Sequence, residues 1–472
     1  MKQLNVSLPT QFPIAHESEV LVVGGGPGGI GAAVAAAREG ADVLLVEHYG
    51  FLGGMATAGE VNPFMPNFLK GAELDTGIFS DWLDRIDFYG GIRNNNKRVF
   101  DPNIARLAAE DLCLTAGVRL LYHHRPIHVQ ASDRRIDGLV LHSKGGLQGA
   151  RAKVYIDSTG DGDVAAMAGC RFEIGDEATG HSQPMTLCFK LKVDRKDFPE
   201  EMRDRDLYAI IENQREAISE IYLKAKAAGR VDCPRENVLV FPSLDSDVVH
   251  FNTTRVIQKQ ATNGQQLSDA EIEARRQLRQ IWKMLRDEVP LFRNSRLYSI
   301  APQIGVRESR RIVGRQRVTV EDYDAARRFP DAVARITYPI DIHNPNGTGT
   351  VMRFLPAGQW YEVPWQCQLP ADVDNLVIAS RCISADHATH SSLRVMAPVC
   401  SFGQAAGTAA ATAVRENIDI CEIDGTALNA QLRAQGRNLL PFEAPVVHAP
   451  LTEQGEAKSR RRSELAAARF SA

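Results

Sequence analysis

The chain has 472 residues, a formal net charge of −3 and 44% apolar residues, the composition of an ordinary globular protein with room for roughly two to four domain-sized units. Its balance of acid and base excludes a nucleic-acid or membrane-surface role resting on bulk charge, though not a local basic site. No stretch approaches the roughly 20 apolar residues of a membrane span, the N-terminal segment lacks a basic run followed by an apolar one, and the eight cysteines form no CxxC. A cytoplasmic protein with reduced, packed thiols is expected. The histidine pairs His123-His124 and His387/His390 match no zinc pattern, so no metal is expected.

In chain order, Glu19–Val23 reads as a short apolar strand (Val20, Leu21, Val22 and Val23) and runs straight into Gly24-Gly25-Gly26-Pro27-Gly28-Gly29. An Ala-rich helix is predicted over Ile30–Glu39 with Gly40 as its stop, then a second strand over Asp42–Val46 ending at Glu47. This is a βαβ unit opening a parallel sheet. A helix over Asp101–Ala116 and a strand over Val118–Tyr122 follow. Ile127–Ala131, Ile136–His142 and Arg151–Ile156 then read as a β-meander, turning at Ser132–Arg135 and Lys144–Gly146.

Residues 1–175 thus form the first part of one domain. Residues 176–370 differ: strands over Met185–Val193, Val238–Phe241 and Val248–Asn252, and long charged helices over Glu200–Ala228 and Ser268–Val289. They suit an inserted α+β domain for a substrate, with 295–315 returning toward the first domain. Within Asp341–Pro370, Pro345, Pro356, Trp360 and Trp365 suit loops and edge strands better than a helix. A strand over Leu376–Ala379 and a small-residue helix over Ser391–Arg415 resume the first domain in 371–440, leaving 441–472, with Arg460-Arg461-Arg462, as a tail. The predicted fold is α/β: a Rossmann-type nucleotide-binding domain with a β-meander, plus the inserted domain.

Gly24-x-Gly26-x-x-Gly29 between strand and helix has a physical meaning. Gly24 permits the tight turn, Gly26 lets the backbone approach a pyrophosphate, and Gly29 lets helix and strand pack closely. The helix N-terminus then offers free N–H groups to phosphate. Glu47, 18 residues after Gly29, is placed to accept hydrogen bonds from ribose hydroxyls and disfavours a 2′-phosphate, which argues against NADP.

The segments Val22–Ala33, Leu45-Val46-Glu47 and Leu52-Gly53-Gly54 resemble the FAD-binding start of the glutathione-reductase-like flavoproteins. Ile156–Asp163 resembles that group's second nucleotide motif. Gly305–Gly314 is similar to the RESRR segment of the bacterial FAD-dependent oxidoreductase family, and Arg381–Ala388, Arg394-Val395-Met396 and Gly403–Ala410 resemble its C-terminal FAD segment. The resemblance spans about residues 18–415. It implies that Gly24, Gly26, Pro27, Gly28, Gly29 and Glu47 hold the ADP half of FAD, that Thr159-Gly160-Asp161 lie near the adenosine, and that Gly53-Gly54-Met55 pass near pyrophosphate and flavin. It also implies that the helix starting near Ser391, Ser392 and Leu393 aims its N-terminus at the flavin. His48, Ile127, Arg381 and Asp386 complete the cofactor-binding candidates. Some relatives attach FAD through a histidine after the position of Glu47; Gly53 to Pro66 contains none, so FAD is expected to be non-covalent, with His48 just ahead of that loop as the exception.

Flavin chemistry needs a substrate and often a proton donor or acceptor near N5. Arg307, Arg310, His343, His387, His390 and Arg394 are available. Arg307 either touches substrate or flavin or forms a structural pair with Glu308; His343, in a loop-like segment, is either an acid/base or a solvated side chain. His387 follows Asp386 in the flavin segment, loosely resembles the histidine ahead of the flavin-facing helix in fumarate-reductase-type flavoproteins, and is preferred over His390. His387, His343 and Arg307 are thus the catalytic candidates. The expected activity is two-electron transfer between FAD and a small polar substrate such as a hydroxy acid, sugar-like alcohol or amine, with an unidentified electron acceptor or donor. The rivals are reduction of an activated C=C bond, a flavin-bound scaffold or sensor without turnover, and a simple NAD-binding enzyme. A homo-oligomer is compatible with the sequence.

Overall fold

Strands of a parallel sheet are covered on both faces and read as unbroken apolar runs, and Val20–Val23 is buried at every position. In the computed structural model, which describes residues 11–93 and 96–443, this strand is the centre of a five-stranded sheet. The order is Leu376–Ile378, Val154–Asp157, Val20–Val23, Val43–Val46, Arg119–Leu121, with every pair parallel. The predicted tail beyond residue 443 lies outside the described residues.

The meander exists with one correction. The expected strand over Arg151–Ile156 is two strands: Gly146–Arg151 ends the meander, beside Arg135–Ser143 and Arg125–Ser132, and Val154–Asp157 enters the parallel sheet. The chain changes partner at the junction. Arg151 O accepts from Ser18 N at 3.1 Å, and Lys153 N and Val154 N both turn to Glu19 O, also at 3.1 Å. Ile14–Glu17, parallel to Gly146–Arg151, makes the same passage on the neighbouring chain segment.

The small-residue helix is also two. His387–Leu393 is capped by Asp386, whose carboxylate accepts from Thr389 N at 2.7 Å, and Met396–Glu416 follows after an extended Val395. Pro398 gives the reason: proline is tolerated in a helix's first turn and clashes in its interior, so one helix over Ser391–Arg415 is excluded. The second helix packs against Pro27–Arg38 with no side chain between them. A Cβ built at Gly403 would fall 2.0 Å from Gly28 O, and one at Gly407 2.0 Å from Ala32 O.

A second apolar core runs from Met185 to Val306. Its antiparallel sheet has the order Val240–Pro242, Val248–Phe251, Phe189–Lys192, Arg296–Ile300, with Phe189 and Phe251 paired in register and stacked at 4.7 Å. The expected helix over Glu200–Ala228 is broken into Leu207–Asn213, capped by Asp206, and Arg215–Ala227. The helix expected over Ser268–Val289 forms as one piece but begins earlier, Gly264–Glu288. Residues 312–369 contribute to the first core, so the second closes near Val306 rather than at 370. No helix among the described residues is long and apolar enough to cross a membrane.

His250 is fully buried in the second sheet, opposite Lys190 and Phe241, and neither ring nitrogen has a hydrogen-bond partner among the described residues. Burial first, and the Lys190 charge second, push its pKa down to about 3. The unfolded chain protonates this ring near pH 6.5, so between that pH and about 3 the unfolded state binds more protons and stability falls as the pH falls. His250→Phe is expected to make acid unfolding shallower, by up to ~1.4 kcal/mol per pH unit across that interval. Urea denaturation of both proteins at a series of pH values checks this; a pH-independent difference between them refutes it.

Candidate active site

Open α/β sheets leave a crevice beyond the carboxyl ends of their strands. Here the residues just past four strands, Gly24, Glu47, Ser158 and Ala379, line a cavity of about 1470 Å³ whose far wall comes from the second core. It exceeds the roughly 300–1,000 Å³ usual for one small-molecule site, which leaves room for a cofactor and a substrate together.

The glycines of the turn divide by role. A Cβ at Gly24, where φ is +100°, would fall 2.4 Å from Ser158 O; at Gly28, 1.8 Å from Ala379 O; at Gly29, 1.8 Å from Gly24 O. Those positions are occupied by other backbone. Gly26 differs: the nearest atom to a Cβ there is Gly54 Cα at 3.8 Å, and the residue faces the cavity, so its missing side chain keeps the wall bare. Glu47 is buried, with Oε2 accepting from Gly25 N at 2.6 Å and Oε1 from Tyr49 N at 2.9 Å. It ties the turn to the second strand while facing the cavity. Asp157, pushed up to about 6 by burial, accepts from Thr159 N at 3.0 Å and Thr159 Oγ1 at 2.7 Å and holds the next turn. Asp161 pairs with Arg381 at 2.6 Å.

Two helices begin on this wall. Pro27–Arg38 follows Gly26, Met396–Glu416 follows Val395, and neither has a side-chain cap or an acidic residue in its first turn. Free N–H groups and the positive ends of two helix dipoles therefore meet the cavity. A large cavity with a bare glycine wall, uncapped helix ends and a buried acid beside the second strand fits a flavin dinucleotide.

Among the cofactor candidates, Gly24, Gly26, Pro27, Gly28, Glu47, His48, Gly54, Met55, Thr159, Gly160, Asp161 and Arg381 line the cavity. The others stand behind it. Gly29 is a packing residue, and Gly53, at φ +108°, donates from N to Gly25 O. Ile127 lies on the meander, half exposed, with its neighbours Arg125 and Pro126 on the cavity instead. Asp386, Ser391, Ser392 and Leu393 belong to the short helix upstream of the one that reaches the cavity, and Asp386 and the serines are consumed locally: Ser391 Oγ donates to Ala388 O and Ser392 Oγ to Tyr338 O, both at 2.6 Å.

The chemical candidates separate in the same way. His387 is buried away from the cavity, its Nδ1 2.9 Å from Glu308 Oε1. That carboxylate also pairs with Arg311 at 2.5 Å and accepts from Gln183 N, so His387 is part of a buried structural knot; neither it nor His390 lines the cavity. The pairing of Arg307 with Glu308 is replaced too. Arg307 faces the cavity and donates to Pro184 O and Thr186 Oγ1, both at 2.7 Å, while Arg310 clamps Asp161 O and Asp163. Burial, then Arg394, Arg235 and Arg255, push Arg307 down to about 9.

His343 does face the cavity, from a strand and not a loop. Ile340–His343 pairs with Thr350–Arg353, with Asp341 opposite Met352 and His343 opposite Thr350. Alternation along a strand puts residues two apart on one face, and all four of these residues line the cavity. Asp341 was missed in the sequence, although the Asp-x-His spacing carries it. Tyr338 Oη donates to Asp341 Oδ2 at 3.1 Å, and His343 Nε2 lies 3.6 Å from Asp341 Oδ1. On the other side of the ring, Nδ1 is 3.2 Å from both Arg255 Nη2 and Thr350 Oγ1. Arginine only donates, so Nδ1 accepts and the ring proton sits on Nε2, toward Asp341. Burial and Arg307 push His343 down to about 3, leaving a neutral imidazole. Burial opposes ionisation of Asp341, but His343, Arg394 and Arg307 outweigh it and hold the carboxyl below the usual range.

A family model described as FAD dependent oxidoreductase matches residues 19–432. No curated protein matches the chain. Among solved structures, the chain is similar to a geranylgeranyl bacteriochlorophyll reductase-like protein from Thermoplasma acidophilum (13% identity, 90% of this chain and 85% of that one, TM-score 0.44). It is also similar to p-nitrophenol 4-monooxygenase from Pseudomonas putida DLL-E4 (12%, 95% and 93%, 0.45) and to L-proline dehydrogenase from P. horikoshii (11%, 88% and 99%, 0.40).

The two kinds of glycine predict two kinds of damage. Gly29→Ala is expected to lower Tm sharply and to yield little folded protein, whereas Gly26→Ala is expected to fold with a nearly unchanged apoprotein Tm and to lose bound nucleotide. Thermal denaturation and cofactor content of the purified variants distinguish them; equal losses of Tm for both would contradict the assignment.

Proposed function

The chain belongs to the family of FAD dependent oxidoreductases, and from that membership we propose that it passes a hydride equivalent between FAD and a small polar organic substrate, with Asp341 handling the proton. FAD, when bound, takes up or returns two electrons at N5. The glycine turn, Glu47 and Thr159–Asp161 would hold its adenosine and phosphates, and Gly54, Met55 and the first turn of Met396–Glu416 its flavin.

The observation that carries the reading is the Tyr338–Asp341–His343 group on the wall of the same cavity. Oxidation of an alcohol or amine requires a proton to leave oxygen or nitrogen as the hydride leaves carbon. Asp341 is an ionised carboxylate within reach of the cavity. His343 is poorly set for that role, because its Nδ1 lone pair is engaged by Arg255 and Thr350 and its Nε2 carries the proton; it orients Asp341 instead. Arg307 and Arg394 favour negative charge developing on the substrate heteroatom, which offsets the weak basicity of Asp341. Thr186, Arg235 and Asn252, from the second core's stretch of chain, line the same cavity, which supports reading that core as the substrate side. A separate electron acceptor or donor must restore the FAD after each turnover.

Stopped-flow mixing of the oxidised holoenzyme with hydroxy acids, alcohols and amines is expected to bleach the flavin, and Asp341→Asn to slow bleaching by ~10²–10⁴-fold at unchanged flavin content. With Asp341 below the carboxylate range and His343 at about 3, the required ionisations are complete well below neutrality, and the rate should stay flat from about pH 5 to 8. A break near pH 6.5 that vanishes in His343→Gln would move the base to His343. Reoxidation of the reduced enzyme by enoates, without bleaching by saturated compounds, would reverse the direction; no response to either would favour the scaffold or sensor reading.

FAD is taken to be non-covalent: His48 Nδ1 is engaged with Glu47 Oε1 at 2.8 Å and its ring packs on Tyr49 at 3.9 Å. Acid precipitation is expected to release all the flavin into the supernatant; flavin retained on the pellet, and lost in His48→Ala, would contradict this.

A further inference from the structure

Arg235 is 5% exposed and lines the cavity, and its Nε and Nη1 have no hydrogen-bond partner among the described residues. Its surroundings do not neutralise it. Arg255, behind the wall, shares Glu236 Oε2 at 3.3 Å and spends its other donors on His343 Nδ1 and Gly349 O. Among the described residues, Arg307 donates to the neutral acceptors Pro184 O, Thr186 Oγ1 and Asn252 Oδ1. Arg394 reaches Gln183 Oε1 and Asp341 O, and its Nε has no partner among the described residues.

These groups form one cluster. Arg307 is pushed down by Arg394, Arg235 and Arg255 after burial itself, and Arg235 is pushed down by burial and then by Arg255. Asp341 and Glu236 are the carboxylates that act on these guanidiniums, and neither takes a hydrogen bond from Arg235 Nε or Nη1. An unpaired buried cation is costly to a fold and is retained where a counter-charge arrives. A guanidinium fork matches the planar or tetrahedral oxygens of a carboxylate or phosphate with paired hydrogen bonds.

We propose that the substrate carries an oxoanion group, a carboxylate or a phosphate, which docks on Arg235 with Arg307 and Arg394 beside it. This rests on reading the cavity as the substrate site. It narrows the substrate from small polar molecules to acids or phosphoesters bearing an oxidisable carbon near the charge. Arg235 is then a specificity residue: it selects by charge and takes no part in moving the hydride or the proton.

The test uses the flavin-loaded full chain with malonate, inorganic phosphate and malonamide as probes, read by Tm and by the flavin difference spectrum. Malonate or phosphate is expected to raise Tm and perturb the spectrum saturably, and neutral malonamide to do neither; whichever anion binds names the source of the oxoanion. Arg235→Met is expected to weaken anion binding by about tenfold or more, Arg235→Lys by less, because it keeps the charge without the fork. In anion-free buffer Arg235→Met should melt at or above the wild-type Tm, since it removes an unpaired buried charge. A merely structural arginine would give a lower Tm and unchanged anion binding.

The proposal is overturned if neither anion binds the wild-type protein better than malonamide, or if both variants bind the anions as wild type does. The wild-type comparison stands even if a variant does not fold. Turnover of uncharged substrates with no response to anions would remove the oxoanion and leave the oxidoreductase reading intact; anion binding without any flavin reduction would do the opposite.

Discussion

The direct contact between two helix backbones organises this molecule. Gly28 faces Gly403 and Ala32 faces Gly407, so two segments far apart in sequence approach with no side chain between them. Both pairs advance in the same direction, so the helices run parallel with their positive ends at the same side of the sheet. Parallel dipoles held side by side are unfavourable, and close packing must outweigh that. The gain is a cavity wall on which two helix starts, neither with a side-chain cap, offer their N–H groups side by side. Any side chain at these glycines would separate the helices and displace both ends at once.

The rest of the site is built on the opposite electrostatic plan. Near the glycine turn, charges are paired or tied to backbone: Glu47 holds Gly25 and Tyr49, and Asp161 holds Arg381. Near Asp341 they are buried, with Arg235, Arg307 and Arg394 on the wall. One end attracts negative groups with neutral dipoles and the other with full charges. The second core supplies much of the charged end, while the parallel sheet supplies the neutral one.

How much of this could be read in the chain depends on the range of the interaction. The βαβ unit and the position of Glu47 at the end of its second strand follow from local pattern and were legible. So was the 264–288 helix, with its long amphipathic run. The split of the C-terminal helix was signalled by Pro398 and overridden by the run of small residues around it. The asparagine, proline and glycines after His343 give that stretch a loop-like pattern; they form the hairpin turn, and the strand lies just before it. His387 was favoured on its place in a motif, but burial against Glu308 and Arg311 depends on residues about 80 positions upstream. Arg235 carried no local signal, since an arginine becomes unusual only when the structure withholds its partner.

The register of the two helices also fixes a length. Gly28 stands one residue into its helix and Gly403 seven residues into the other. Met396–Glu416 therefore projects past the start of Pro27–Arg38 by six residues, roughly 9 Å at 1.5 Å per residue. The two positive ends are staggered along the cavity like marks on a ruler. A ligand with negative charge at one point satisfies only one mark. A ligand with negative charge at two points about that far apart meets both, so the stagger discriminates by span.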